Sequence, residues 1–348
     1  MSIFGNDKQK RDIVVVGASA GGVEVLMKLV QQFPADFPAS VFIVMHIPAE
    51  YPSKLALILS RHSQLPVTHP KNEESIEAGH IYVAPSDHHL LIDRGRIRLS
   101  RGPRENHFRP AIDVLFRSAA RSGGQRVIGV LLTGVLDDGS AGLFAIKSLG
   151  GKAVVQDPAD APYADMPRNA MKVVEIDHCV PVSEMGGLLS SMVNEPIEDK
   201  KVDVPPDMDL EVNIALDYNA FEHGVMQLGE LTSYTCPECH GALAQINEGK
   251  LVRFRCHTGH AYSLNTLLVE VTKAIDTALW DTLRAIEESE LLMCHIARHL
   301  SENDQTDIAE IVLKKSTEAS ERAKAVKKLV LNAEILSQEK MSGAEDEG

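Results

Sequence analysis

Apolar positions in the first 193 residues switch between two spacings. Short runs rich in β-branched residues fall at 12–17, 40–46, 80–84, 88–92, 127–132 and 152–156 and read as strands. Between them, three- and four-residue steps mark helices at 22–33, 51–62, 110–121, 140–149 and 184–193. In the first helix Val23, Leu26, Leu29, Val30 and Phe33 share one side. Such alternation predicts an α/β fold: a doubly wound, mostly parallel sheet with helices on both faces. Asp93-Arg94-Gly95 reads as the turn of an antiparallel hairpin beside that sheet.

The pattern lapses at 194–230, read as a linker. Its first part, 194–211, is rich in proline and charge, with little to bury. A short cysteine-bearing module is expected at 231–262. From 263 to 340 the spacing becomes helical again. Leu264, Leu268, Val271, Ile275, Leu279, Leu283 and Ile286 mark one helix, and Ile308, Ile311, Val312, Val326, Leu329, Val330 and Ile335 a second. With a turn at Ser301–Gln305, these predict a helical hairpin or coiled coil. Its apolar faces are expected to pack on each other, and Trp280 is a candidate anchor for a signalling partner. Residues 341–348 are expected to be disordered.

Composition adds limits. A chain of 348 residues with 44% hydrophobic content suits two globular domains. No apolar run approaches the ~18–20 residues that span a bilayer, so no membrane insertion is expected. The first twelve residues lack a signal-peptide core, so the location expected is cytoplasmic. Residues 1–193 carry 20 basic and 20 acidic side chains, and residues 194–348 carry 15 and 29. That distribution gives no basic face for nucleic acid. Arg94, Arg96, Arg98, Arg101, Arg104, Arg109 and Arg117 crowd one stretch, read as a solvated strand face or as a surface for an acidic protein.

The candidate chemistry lies at strand ends. Gly17-Ala18-Ser19-Ala20-Gly21-Gly22 places a serine on a tight strand-to-helix turn, where free helix N–H groups face whatever the hydroxyl attacks. A hydroxyl needs a base and an orienting acid, and His46 and Asp138 are the candidates. A dinucleotide fingerprint would want glycine at Ser19 and an acid after the second strand, where His46 stands. The order Ser, His, Asp differs from that of α/β-hydrolases, so another fold carries the same chemistry.

These segments occur in a recognisable succession. Gly17-Ala18-Ser19 is followed by His46-Ile47-Pro48, then Ala84-Pro85-Ser86-Asp87-His88-His89. Next come Arg109-Pro110-Ala111-Ile112-Asp113-Val114-Leu115-Phe116 and Leu132-Thr133-Gly134…Asp137-Asp138-Gly139, with Gln156-Asp157 and Met166-Pro167-Arg168 beyond. Over roughly 12–193 the chain resembles the catalytic domain of the chemotaxis protein-glutamate methylesterases, the CheB-type family. The resemblance implies a hydrolase in which Ser19 is the nucleophile, His46 the general base and Asp138 the acid orienting the histidine. Asp138 is preferred to Asp137 because it directly precedes Gly139, as the family's acid does. The implied substrate is a methylated receptor protein, whose glutamate γ-methyl esters would be cleaved to release methanol, with glutamine deamidation as a related activity. No cofactor is implied for catalysis. The Ala20 N–H is the expected half of an oxyanion hole, and the Gly134–Asp137 loop the other. The chain departs from the family in two places. With a first strand near residue 12, no N-terminal receiver domain is expected, and Val135-Leu136 replaces a Met-Gly pair.

A second pattern, Cys236-Pro-Glu-Cys239 followed by Cys256-His257-Thr-Gly-His260, has zinc-ribbon spacing. Cys236, Cys239, Cys256 and His260 are the predicted ligands of a structural Zn²⁺, with His257 an alternative to His260. Cys179 and Cys294 stand apart as ordinary thiols. Two functions compete on this reading: a stand-alone methylesterase with a zinc-ribbon-like and helical extension, and a catalytically silent adaptor working through that extension.

Overall fold

The computed structural model describes residues 10–49, 51–197, 202–217 and 219–332. The expected tail at 341–348 and the last part of the second long helix lie outside these. Two compact units divide the chain, Met1–Leu267 and Leu268–Gly348.

The first unit is built on alternating strands and helices: β1 (Ile13–Ala18), α1 (Gly22–Val30), β2 (Ser40–Met45), α2 (Leu55–Ser60), β3 (Val67–Thr68), β4 (Ile81–Val83), β5 (His89–Asp93) and β6 (Arg96–Ser100). There follow α3 (Ile112–Gly123), β7 (Val127–Leu131), α4 (Ser140–Ser148), β8 (Lys152–Gln156), α5 (Asp165–Val173), β9 (His178–Val180) and α6 (Val182–Met192). Seven strands form a parallel sheet in the order β3-β4-β2-β1-β7-β8-β9, and β5 and β6 pair separately as the expected hairpin. Along β1, Val14 and Val16 enter the core under α1, α2 and α6, while Ile13 and Val15 enter the one under α3, α4 and α5. A strand buried on both faces reads as a continuous apolar run, which is why this sheet was visible in the pattern. The reading missed β3, β9 and α5, the first two being edge strands of two and three residues.

The proposed linker is not all linker. Pro206–Leu216 forms α7, with Met208, Glu211, Val212, Ile214 and Ala215 buried. Its Pro206 occupies the first turn, where a missing N–H costs nothing. Beyond it, β10 (Glu230–Thr235), β11 (Ala242–Glu248), β12 (Leu251–Cys256) and β13 (Ala261–Ser263) make an antiparallel sheet in sequence order.

This small sheet, α7 and the parallel-sheet body meet through a buried ionic cluster. Arg255 reaches Glu105 at 2.6 Å and Glu211 at 2.8 Å, Arg253 holds Glu211 through its two terminal guanidinium nitrogens at 2.8 Å, and Arg117 on α3 lies 3.2 Å from Glu105. All five side chains are at most 6% exposed. Arg117, one of the arginines expected on a solvated strand face or on a surface for an acidic protein, is buried here. Its acidic partners instead belong to this same chain.

The second unit holds most of α8 (Leu264–Glu302), which is followed by α9 (Thr306–Asn332). Asp304, at φ 59°, lies in the turn between them. Cys294 on α8 lies 3.1 Å from Ser316 on α9, so the two helices pair as a hairpin. Among the described residues no helix is long and apolar enough to cross a membrane.

Candidate active site

Parallel-sheet topology brings distant strand ends together. Ser19 follows β1 and His46 follows its parallel neighbour β2. Asp138 lies on the loop after β7, the neighbour of β1 on its other side. Ligand sites of open α/β sheets form at this carboxyl edge.

His46 Nδ1 lies 3.0 Å from Ser19 Oγ, and His46 Nε2 lies 2.7 Å from Asp138 Oδ2. An ionised carboxylate only accepts, so Nε2 carries the proton and Nδ1 turns its lone pair to the serine hydroxyl. Phe108 stacks on the imidazole, with centroids 3.6 Å apart and planes at 3°, which fixes the ring plane. The histidine side chain is 4% exposed.

Asp138 is the most heavily bonded group of the site. Its Oδ2 also accepts from the Ile112 amide at 2.8 Å, and its Oδ1 from Asn106 Nδ2 at 3.0 Å, Gly139 N at 3.0 Å and Asp113 N at 3.2 Å. Two of these donors are the first amides of α3, whose N-terminus favours negative charge. Burial opposes ionisation, but the His46 contact and the Ile112 amide hold Asp138 well below the usual carboxylate range. Asp113 is pushed well above that range, first by burial and then by the Asp138 charge. Asp113 Oδ1 accepts from the amides of Gly139 and Gly142 at 2.9 and 2.6 Å, so it tethers the acid loop to α3.

Asp137 points elsewhere. Its carboxylate accepts from Ser263 Oγ at 2.6 Å, Asn265 Nδ2 at 3.3 Å and Thr266 Oγ1 at 3.4 Å. Burial first, and Asp138 beside it, raise its pKa to about 6 in spite of these donors.

Two glycines are needed here. A Cβ at Gly134 would collide with Met166 Sδ and lie 2.8 Å from Ser19 Cβ, so only glycine lets the loop approach Ser19. Gly139 sits at φ 94°. Leu136, where the family's glycine was expected, also takes a positive φ of 64° and buries its side chain. The backbone conformation that suits glycine is thus kept. The Gly134 amide donates to the Tyr163 carbonyl at 3.0 Å, which leaves any oxyanion donor of this loop to its later amides. Beside Ser19 and Asp138, His46, Pro48, Arg104, His107, Phe108 and Arg109 line a cleft of about 330 Å³.

The ligand atoms of Cys236, Cys239, Cys256 and His260 all lie within 4.8 Å of one another and make a candidate metal site. Cys239 and Cys256 sulfurs are 3.5 Å apart, and His260 Nδ1 is 3.6 Å from the sulfurs of both Cys236 and Cys256. Tetrahedral Zn–S bonds of about 2.3 Å set sulfurs about 3.8 Å apart, so the donor set fits such an ion. His260 Nε2 lies 3.5 Å from Glu238, the carboxylate backing expected of a ligating histidine. His257 is exposed and outside the cluster.

Asn106, Phe108, Asp113 and Ser263 escaped the sequence reading as site residues. Asp113 lies inside a quoted motif, but nothing in its spacing told that it faces Asp138.

Residues 14–189 match the family model described as CheB methylesterase. A protein-glutamate methylesterase/protein-glutamine glutaminase of Anaeromyxobacter dehalogenans is 40% identical over 174 residues, which is 50% of this chain and 51% of that one. A putative protein of the same description from Leptospira interrogans is 35% identical over 190 residues, 54% of this chain and 98% of its own. The chain therefore spans about half the length of the first relative and nearly all of the second. The Thermotoga maritima CheB methylesterase catalytic domain superposes with a TM-score of 0.51 at 30% identity, covering 53% of this chain and all of that one.

Proposed function

Because the chain belongs to the CheB methylesterase family, we propose that it is a serine hydrolase that removes methyl esters from glutamate side chains of a receptor-like protein. The observation that carries this is the unbroken contact from Ser19 Oγ through His46 to Asp138, at 3.0 and 2.7 Å. Ser19 Oγ attacks the ester carbonyl while His46 Nδ1 takes its proton, and Asp138 stabilises the imidazolium. The developing oxyanion lies near the Ala20 amide at the start of α1. His46 returns its proton to the departing methoxide, so methanol leaves and an acyl-enzyme remains. Water, activated by the same imidazole, then releases the glutamate carboxylate and restores Ser19. An amide leaving group would make the same route a glutamine deamidation, the second activity in the relatives' names.

Methanol release from methyl-labelled receptor membranes tests the reading. Release from the natural protein that falls by about 10⁴-fold or more in Ser19→Ala supports it. No release from a protein whose Ser19 reacts with a phosphonate probe would move the activity to another ester.

The Cys236, Cys239, Cys256 and His260 cluster is proposed to hold one structural Zn²⁺. Four protein ligands leave no open position, so the ion would supply folding energy and no chemistry. Metal analysis of the intact protein should find about one zinc per chain, and a value near zero would remove this proposal. The protein is proposed to act in the cytoplasm, with the helical hairpin as the surface for a signalling partner.

A further inference from the structure

The Cys/His-bearing sheet does not merely adjoin the catalytic body. Its last strand, β13, runs beside the segment that precedes α3. Ala261 N donates to Arg104 O at 3.2 Å, and Asn106 N donates to Ala261 O at 2.8 Å, so residues 104–106 extend the small sheet by one rung.

Asn106 divides its hydrogen bonds evenly between the two regions. Its side-chain amide nitrogen donates to Asp138 Oδ1 at 3.0 Å and Asp113 Oδ2 at 3.2 Å. Its side-chain oxygen accepts from Ser263 N at 2.9 Å, and its backbone N–H goes to Ala261. The residue is 5% exposed and sits at φ 51°, a conformation asparagine tolerates better than most side chains. Glu105 before it is clamped by Arg255 of β12. On the other side of the acid, Asp137 takes its side-chain donors from Ser263, Asn265 and Thr266.

We propose that β13 braces the catalytic acid, with Asn106 and Ser263 as positioning residues that set Asp138 for the triad and hold Asp137 away from it. Asn106 passes the position of β13 to Asp138 through one side chain. Ser263 fixes the neighbouring carboxylate, so Asp138 alone faces the histidine. His260 of the candidate metal cluster immediately precedes β13, so order in that cluster reaches the triad within three residues and one asparagine.

The inference rests on the hydrolase reading only for its activity readout. A second readout is independent of substrate: the low-field proton resonance of the His46 Nε2–H···Asp138 bond, identified by its loss in His46→Gln. The full chain is used throughout, with folding checked by circular dichroism. Asn106→Leu keeps the number and branching of side-chain heavy atoms and removes every side-chain hydrogen bond. It is expected to shift or broaden the resonance and slow phosphonate labelling of Ser19 by at least tenfold. Ser263→Ala should shift the resonance less and slow labelling about threefold, and Ser263→Thr should restore both. A folded Asn106→Leu with the wild-type resonance and a labelling rate within twofold overturns the proposal. If Asn106→Leu does not fold, wild-type behaviour of Ser263→Ala in both readouts overturns it instead. Failure of the wild-type protein to label, with the resonance still moving in Asn106→Leu, would count against the hydrolase reading and support the brace.

Discussion

The parallel sheet and the junction with the small antiparallel sheet are held by opposite kinds of interaction. In the sheet, β1, β2 and β7 are almost wholly apolar and buried on both faces. At the junction, Glu105, Glu211, Arg117, Arg253 and Arg255 are just as deeply buried and carry formal charge. Hydrophobic contact tolerates sliding and repacking, whereas a buried ion cluster demands its partners in fixed places. The sheet thus supplies stability by area, and the junction supplies a single docking arrangement.

Breaking the junction should show the largest effect. Glu211→Ala leaves Arg253 and Arg255 short of their shared partner and is expected to cost about 3–5 kcal/mol, as much as a leucine-to-alanine change in the core. The thermal midpoint should fall on the order of 10 °C. A loss under 1 kcal/mol would mean that water reaches these guanidinium groups.

His89 sharpens the comparison by titration. It is fully buried beside the junction, with Nε2 on the Pro103 carbonyl and Nδ1 accepting from the Ala111 amide, an arrangement that suits only the neutral ring. Burial lowers its pKa to about 4, against the opposing influence of the Pro103 carbonyl, Glu105 and Asp138. The unfolded chain binds a proton near pH 6.5, and the folded one does not until about 4. Stability from this group is therefore full above about pH 6.5 and falls as pH drops towards 4, by about 3 kcal/mol at most. Unfolding free energies measured across that window should slope accordingly, and His89→Gln should flatten the slope.

The smallest effect belongs to an exposed pair. Arg126 and Asp12 meet at 2.6 Å with side chains 41% and 44% exposed. Asp12→Ala is expected to cost only about 0.5 kcal/mol, and less in high salt. An effect matching that of Glu211→Ala would erase the distinction between the two kinds of ion pair.

The same contrast decides what could be read before folding. Strands such as Ile13–Ala18 announce themselves because two-sided burial leaves a continuous apolar run. Ser19 and His46 stood out as reactive side chains at the ends of such runs, and the four metal-ligand candidates by their spacing. The junction offered no such signal. Arg117 and Glu211 look like surface charge until α7 and β12 enclose them. Asn106 is one polar residue in a loop, and its meaning comes from Ser263, far along the chain. Helix α7 was hidden because Pro205 and Pro206 read as linker, while its apolar positions match a surface made by other segments.

The distance in sequence from Asn106 to Ser263 also has a temporal side. During synthesis the whole parallel sheet is available once residue 193 has emerged, but residues 261–266 come later. At about 5–20 residues per second the growing chain spends roughly 4–15 s with its sheet complete and β13 still to come. For that interval Ser19, His46 and Asp138 all exist in the nascent protein, while the strand proposed to finish their alignment does not.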